Sequence, residues 1–115
     1  MINQGIEIEQ RGPVVTARIQ LPEVSHLQMQ EIVDECLEHV RIHNGRHVLL
    51  DLSGVEFLSS ACLGPIVALL QDLEHVRGRL AVCNCRENVA FLLKVTRLDS
   101  VMSVFEDEAQ ARASF

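Results

Sequence analysis

The stretch Asp51-Leu-Ser-Gly-Val-Glu-Phe-Leu-Ser-Ser-Ala-Cys-Leu-Gly64 joins an apolar segment to a helical pattern through a short polar break. The segment that leads into it, His47-Val-Leu-Leu-Asp-Leu52, is almost continuously apolar, as is typical of a strand buried on both faces of a sheet. Beyond it, apolar residues recur at helical spacing at Leu63, Ile66, Val67 and Leu70. The stretch therefore predicts a buried strand, a loop and the start of a helix.

The same kinds of pattern extend outward from this stretch in both directions. Upstream, residues 6–10 and 14–20 alternate apolar and polar residues around the turn signal Arg11-Gly12-Pro13, which predicts two strands. Helical spacing from about 27 to 42 predicts an amphipathic helix that ends at Asn44-Gly45, with Gly45 in the left-handed position. Downstream, the patterns predict strands at 79–83 and 101–105 and helices at 87–96 and 106–113.

Strands that alternate with helices in this order predict an α/β fold. We expect a mixed, mainly parallel β-sheet of about five strands with about four α-helices. A chain of 115 residues has room for one hydrophobic core, so residues 1–115 are expected to form a single domain.

Charge and composition narrow the classes of partner. The formal net charge of −6 disfavours contact with phosphate backbones and anionic lipids, so we expect no direct nucleic acid partner and no membrane association. The first residues lack the pattern of a signal peptide, which favours a cytoplasmic location. The four cysteines do not suggest a disulfide framework and are predicted to be free thiols.

Two hydroxyl side chains, Ser59 and Ser60, stand where the middle helix is predicted to start. Pro65 is tolerated in a first turn, so we place that start between Ala61 and Cys62. A serine at such a position either caps the helix or offers a seat for an anion, because unpaired N–H groups and a partial positive charge face it.

At these residues the chain resembles the STAS domain, in particular the anti-sigma factor antagonists. That family has an Asp-Ser-Ser/Thr-Gly-Leu-Gly signature here, after a strand, a Val and an aromatic residue. The corresponding residues of this chain are Val55, Phe57, Ser60, Leu63 and Gly64, with Asp51 at the end of the strand. Ser59 stands where the family has Asp, Ala61 where it has Ser or Thr, and Cys62 where it has Gly. Residues 89–102 resemble the family's third helix and last strand.

The resemblance implies a regulatory protein-binding module that is not an enzyme and needs no cofactor. Its partner would be an anti-sigma factor that is also a serine kinase, and phosphorylation of Ser60, or alternatively Ser59, would abolish binding until a phosphatase restores it. The implied partner-binding residues are Ser59, Ser60, Ala61, Cys62, Gly64, Ser25 and His26. A STAS scaffold without phosphorylation and a small sensor domain that binds an anion or a nucleotide remain alternatives. Monomer and homodimer both remain open.

Other residues that are capable of chemistry favour simpler interpretations. Cys83 and Cys85 are close in sequence, but a structural zinc needs about four ligands and no second pair lies at the expected spacing, so no metal site is predicted. His39 and His43 lie four residues apart and could hold a divalent cation from one helix face, but ordinary surface histidines are the better interpretation, because a helix C-terminus favours positive charge. Nothing in the spacing places a base and an orienting group beside Ser60 or Cys62, as nucleophilic catalysis requires.

Overall fold

The computed structural model describes residues 2–3 and 5–115, and within them the chain forms eight strands, four α-helices and two short 3-10 helices. The strands are β1 (Ile2–Asn3), β2 (Ile6–Arg11), β3 (Val14–Ile19), β4 (Glu23–Val24), β5 (His47–Asp51), β6 (Phe57–Leu58), β7 (Leu80–Cys83) and β8 (Ser103–Phe105). The α-helices are α1 (His26–Ile42), α2 (Leu63–His75), α3 (Glu87–Val95) and α4 (Glu108–Ala113). The 3-10 helices are Ser60–Cys62 and Leu98–Ser100.

Six strands form one sheet in the order β1-β2-β3-β5-β7-β8. The pairs from β3 to β8 are parallel, and β1, β2 and β3 pair antiparallel. The five predicted strands are β2, β3, β5, β7 and β8, so the predicted mixed, mainly parallel α/β fold is confirmed. The two-residue strand β1 extends the sheet at one edge, and β4 and β6 form a separate two-stranded sheet.

Alternation along the central strands divides the core into two layers. Helices α1, α2 and α3 cover one face, where they pack on Val15, Ala17, Ile19, Val48, Leu50, Leu80 and Val82. Helix α4 covers part of the other face, where Ala111 packs with Val14, Leu49, Ala81 and Cys83. Within the described residues, every helix falls short of the length or the hydropathy that a membrane crossing requires.

The C-terminal end of α1 differs from the prediction in one respect, and the end of α2 has the same arrangement. The left-handed backbone conformation is taken by Asn44 (φ 58°) and Arg77 (φ 57°), not by the glycines that follow them. Gly45 and Gly78 are needed for close packing instead. A Cβ on Gly45 would lie 2.8 Å from a methyl carbon of Val15, and a Cβ on Gly78 would lie 1.9 Å from the carbonyl oxygen of Arg46. Each glycine therefore brings a helix end against the start of a strand.

Candidate functional site

The two-stranded sheet brings together the two segments that the sequence singled out. Strands β4 and β6 run parallel, with Glu23 opposite Phe57 and Val24 opposite Leu58. Ser25 follows β4 directly and Ser59 follows β6 directly. The first turn of α1 and the 3-10 turn before α2 consequently start side by side on one end of the molecule.

Ser25 caps helix α1. Its hydroxyl accepts a hydrogen bond from the Gln28 backbone N–H at 3.1 Å, and the Gln28 side-chain oxygen accepts one from the Ser25 N–H at 2.8 Å. The helix therefore begins at His26, and the segment between β3 and α1 contains strand β4 and this cap. The Ser25-His-Leu-Gln28 spacing matches a capping box, a signal that our sequence analysis missed.

Ser59 and Ser60 differ in exposure and in contacts. Residues Ser60–Cys62 form one 3-10 turn that continues directly into α2 at Leu63, slightly later than predicted. Ser59 precedes this turn without a side-chain capping hydrogen bond; its Oγ is half-buried and lies 3.6 Å from the Cys62 Sγ. Ser60 is exposed to solvent. The capping interpretation of Ser59 is therefore wrong, and the Ser60 hydroxyl lies on the surface.

Cys62 is buried, contrary to its place among the implied partner-binding residues. Its side chain has no exposed area, and its Sγ donates a hydrogen bond to the Val24 carbonyl oxygen at 3.1 Å. The side chain points inward because the 3-10 turn packs on the end of β4. Cys62 thus links the turn before α2 to β4 from inside the fold, and it contributes no surface to the site.

The remaining implied residues lie on the surface. Ala61, Gly64 and His26 are exposed, and a Cβ added to Gly64 would meet no atom within 4 Å. Two large apolar side chains on the same pair of elements are also exposed, Leu27 by 64% and Phe57 by 56%. Neither residue is among the partner-binding residues that the resemblance implies. Helical spacing does give a signal for Leu27, because it falls on the same side of α1 as the exposed Glu31 and Asp34 and away from the buried Ile32 and Cys36. Phe57 sits in an apolar stretch, and patterning gives no signal for it.

A hydrogen-bonded network beneath the site fixes the loop that leads into β6. The buried carboxylate of Asp51 accepts hydrogen bonds from the Ser53 backbone N–H and from the Asn84 side-chain amide, both at 3.1 Å. Arg86 donates through Nε to the Ser53 carbonyl oxygen at 3.0 Å. These hydrogen bonds join the C-terminal ends of β5 and β7 to the start of α3, so the loop before β6 is held rigidly.

Two thiols at the end of β7, those of Cys83 and Cys85, lie near the Asp51 carboxylate. Burial raises the pKa of Cys83 to about 12 and that of Cys85 to about 11, with the Asp51 carboxylate adding to both shifts. Little thiolate is therefore present on either residue at neutral pH. In the described part of the chain, no cluster of three or more His, Cys, Asp or Glu residues is arranged to hold a metal ion.

Comparison with known proteins agrees with this architecture. The family model described as the STAS domain matches residues 5–111. The anti-sigma F factor antagonist of Paenibacillus polymyxa is 26% identical over 110 residues, which cover 96% of this chain and 93% of that protein.

Two solved structures illustrate the shared fold. An anti-sigma-factor antagonist (STAS) domain protein from Planctomyces limnophilus is 21% identical, covers 95% of both chains and has a TM-score of 0.81. The Bacillus cell fate determinant SpoIIAA in its phosphorylated form is 16% identical, covers 96% of this chain and 99% of its own, and has a TM-score of 0.74. With a family model that spans residues 5–111 and the same fold in both structures, this chain belongs to the STAS domain family.

Proposed function

We propose that this chain is an anti-sigma factor antagonist that binds an anti-sigma factor with serine kinase activity, and that phosphorylation of Ser60 switches the binding off. A phosphatase then restores the binding form. The observation that carries the proposal is the exposed Ser60 hydroxyl at the start of a helix, next to the start of α1. The name of the Paenibacillus polymyxa relative supports the partner class.

The geometry favours Ser60 over Ser59 as the phosphoacceptor. A kinase must reach the hydroxyl oxygen, and Ser60 is exposed while the Ser59 Oγ is half-buried against the Cys62 Sγ. A phosphate at Ser60 adds about −1.5 to −2 charge at the positive end of the turn that leads into α2, where the fold tolerates it. The added charge therefore acts on a docked partner and leaves the fold intact. SpoIIAA, which has the same fold, has a phosphorylated form.

The surface around Ser60 has the composition of a protein interface. The apolar side chains of Leu27, in the first turn of α1, and of Phe57, in β6, are exposed, and so are the small residues Ala61 and Gly64 where α2 begins. Large apolar residues beside small ones provide pockets and anchors, which carry most of the binding energy in protein complexes. Such a patch suits a protein partner.

Phosphorylation is tested by mixing the purified chain with the kinase-type anti-sigma factor of the same genome and Mg-ATP. Peptide mass spectrometry is expected to locate one phosphoryl group on Ser60. Ser60→Ala should remain unmodified, and Ser59→Ala, the matched control, should be modified as the parent chain is. An intact complex without phosphate on Ser60 would reduce the function to that of an unswitched scaffold. Phosphate on Ser59 alone would overturn the assignment.

Binding is tested separately by calorimetry on the unphosphorylated complex. Ser60→Asp is expected to raise the dissociation constant about 100-fold, a loss of about 2.7 kcal/mol of binding free energy. Its melting temperature should change little. Ala109→Asp is the control, because it adds the same charge on the exposed surface of α4. Equal losses of binding and of melting temperature for Ser60→Asp would show that Ser60 serves the fold.

A further inference from the structure

The C-terminal end of α1, at the opposite end of this helix from Ser25, carries a second group of side chains. His39 and His43 lie one turn apart, with ring centres separated by 5.3 Å and ring planes inclined by 49°. They line a shallow hollow together with Gln10, Gly12 and Asn44. The sequence alone favours ordinary surface histidines here, but the structure adds a contact that changes this interpretation.

Gln10 determines which ring nitrogen of His39 carries the proton. The Gln10 Nε2 donates to the Gly12 carbonyl oxygen at 2.9 Å and to the His43 carbonyl oxygen at 2.7 Å. This fixes the orientation of the amide, so the Gln10 Oε1, 2.8 Å from the His39 Nδ1, is an acceptor. The proton of neutral His39 therefore sits on Nδ1, and Nε2 keeps its lone pair.

This arrangement is the one that metal-binding histidines use. A ligating imidazole almost always donates its other N–H to a carbonyl or carboxylate oxygen, which fixes the ring and raises its basicity. The ring spacing also fits a shared ion: metal–nitrogen bonds of about 2 Å place each ring centre about 3 Å from the ion, and a tetrahedral angle then separates the centres by about 5 Å. The negative end of the α1 dipole further favours a cation here.

We propose that His39 and His43 bind one divalent transition-metal ion of the Zn²⁺ or Ni²⁺ class, with Gln10 as a positioning residue. Imidazole nitrogens suit these ions. Two ring nitrogens from the protein leave the other coordination positions to water. The site goes beyond the proposed signalling function; both of its ligands lie at the C-terminal end of α1, and Gln10 of β2 holds one of them in place.

The proposal is tested on untagged protein by titration with NiCl₂, followed by calorimetry and by NMR of the histidine rings. Saturable binding of one ion is expected, and paramagnetic Ni²⁺ should broaden the ring signals of His39 and His43 before those of His75. His39→Ala and His43→Ala should each weaken binding at least tenfold. His75→Ala, which removes an exposed histidine from α2, should leave it unchanged.

Gln10 has its own test, which separates positioning from a structural role. Gln10→Met removes the acceptor and should weaken Ni²⁺ binding about 10- to 100-fold, with loss of the Nδ1–H form in the nitrogen spectrum of His39. Gln10→Glu keeps an acceptor and should retain both. Broadening centred on other histidines, absence of saturable binding at millimolar NiCl₂, or undiminished binding by His39→Ala would overturn the proposal.

Discussion

Arg18 and Glu108 form a two-point ion pair between strand β3 and helix α4, although ninety positions separate them in the chain. The Arg18 Nε lies 3.0 Å from Glu108 Oε1, and its Nη2 lies 2.7 Å from Oε2. Glu108 also accepts from the Arg112 Nε at 2.7 Å. Both side chains of the Arg18–Glu108 pair are only about a quarter exposed, at 23% and 26%. Helix α4 has six residues and buries only Ala111, so ion pairs supply much of its attachment to the sheet.

This pair predicts an acid-sensitive contribution to stability. The hydrogen bond from Arg18, aided by Arg112, lowers the pKa of Glu108 to about 2 from its ordinary 4.5. The unfolded chain therefore binds more protons in this range, so this contribution is complete above pH 4.5 and is lost as the pH falls towards 2. Glu108→Gln is expected to lower the free energy of unfolding at pH 7 by about 1 kcal/mol.

Urea unfolding at pH 7, 4 and 3 measures this effect. The difference between the parent chain and Glu108→Gln should shrink as the pH falls. Glu106→Gln is the control, because Glu106 is an exposed glutamate just before α4. A difference that stays constant from pH 7 to pH 3 would contradict the assignment to the ionised pair.

A second effect of pH on stability is centred on His47. Burial, together with the positive charges of Arg79 and Arg46, lowers the pKa of His47 below its ordinary 6.5. Its Nδ1 accepts a hydrogen bond from the Arg79 backbone N–H at 3.0 Å, which requires the unprotonated nitrogen. Since the unfolded chain takes up the proton first, stability should decline as the pH falls below about 6.5.

His47→Asn isolates this effect, because its side-chain oxygen keeps an acceptor for Arg79 and does not titrate. The urea midpoint of the parent chain should fall between pH 7.5 and 5.5, and that of His47→Asn should fall less. His75→Asn, which changes an exposed histidine at the end of α2, should behave like the parent chain. Parallel curves for all three proteins would refute the role of His47.

Most of the fold is encoded locally, which is why patterning predicts it. Buried parallel strands such as β5 are continuous apolar runs, and the amphipathic face of α1 repeats at helical spacing. The small sheet of β4 and β6 escapes prediction, because each strand has two residues and depends on a partner more than thirty positions away. The left-handed residues also depend on tertiary context. Gly45 packs closely on Val15 and Gly78 on the backbone at Arg46, and the positive φ falls on the residues before them, Asn44 and Arg77.

The candidate site is predicted less completely than the fold. The sequence locates Ser60 at a helix start, but it carries no information on which way Cys62 points. That direction follows from the pairing of β4 with β6, which puts the Val24 carbonyl oxygen within reach of the thiol. Residue type alone does not predict the exposure of Leu27, because leucines fill the core elsewhere. Its place on α1, on the side of Glu31 and Asp34, does predict it.

Thiol reactivity should follow burial and pKa. Cys36, Cys62 and Cys83 are buried, whereas Cys85 is only partly buried. Burial raises the pKa of Cys85 to about 11, so little thiolate is present at pH 8. Maleimide at that pH should label the folded chain slowly and at one position, and Cys85→Ser should remain unlabelled until urea is added. Intact-mass spectrometry counts the maleimide adducts over time. Rapid labelling of Cys62 would contradict the inward direction of its side chain.

Gly54 and Gly64 should respond in opposite ways to the same added methyl group. A Cβ on Gly54 would lie 2.4 Å from the Cα of Gln20, a backbone atom that cannot move aside, so Gly54→Ala should lower the free energy of unfolding by about 2 kcal/mol.

A Cβ on Gly64 meets no atom within 4 Å and replaces a helical glycine, so Gly64→Ala should raise the free energy of unfolding by up to about 1 kcal/mol. On the proposed docking surface, however, the new methyl group should weaken partner binding about tenfold. Urea unfolding and calorimetry with the anti-sigma factor measure the two effects, and unchanged binding by Gly64→Ala would place the start of α2 outside the interface.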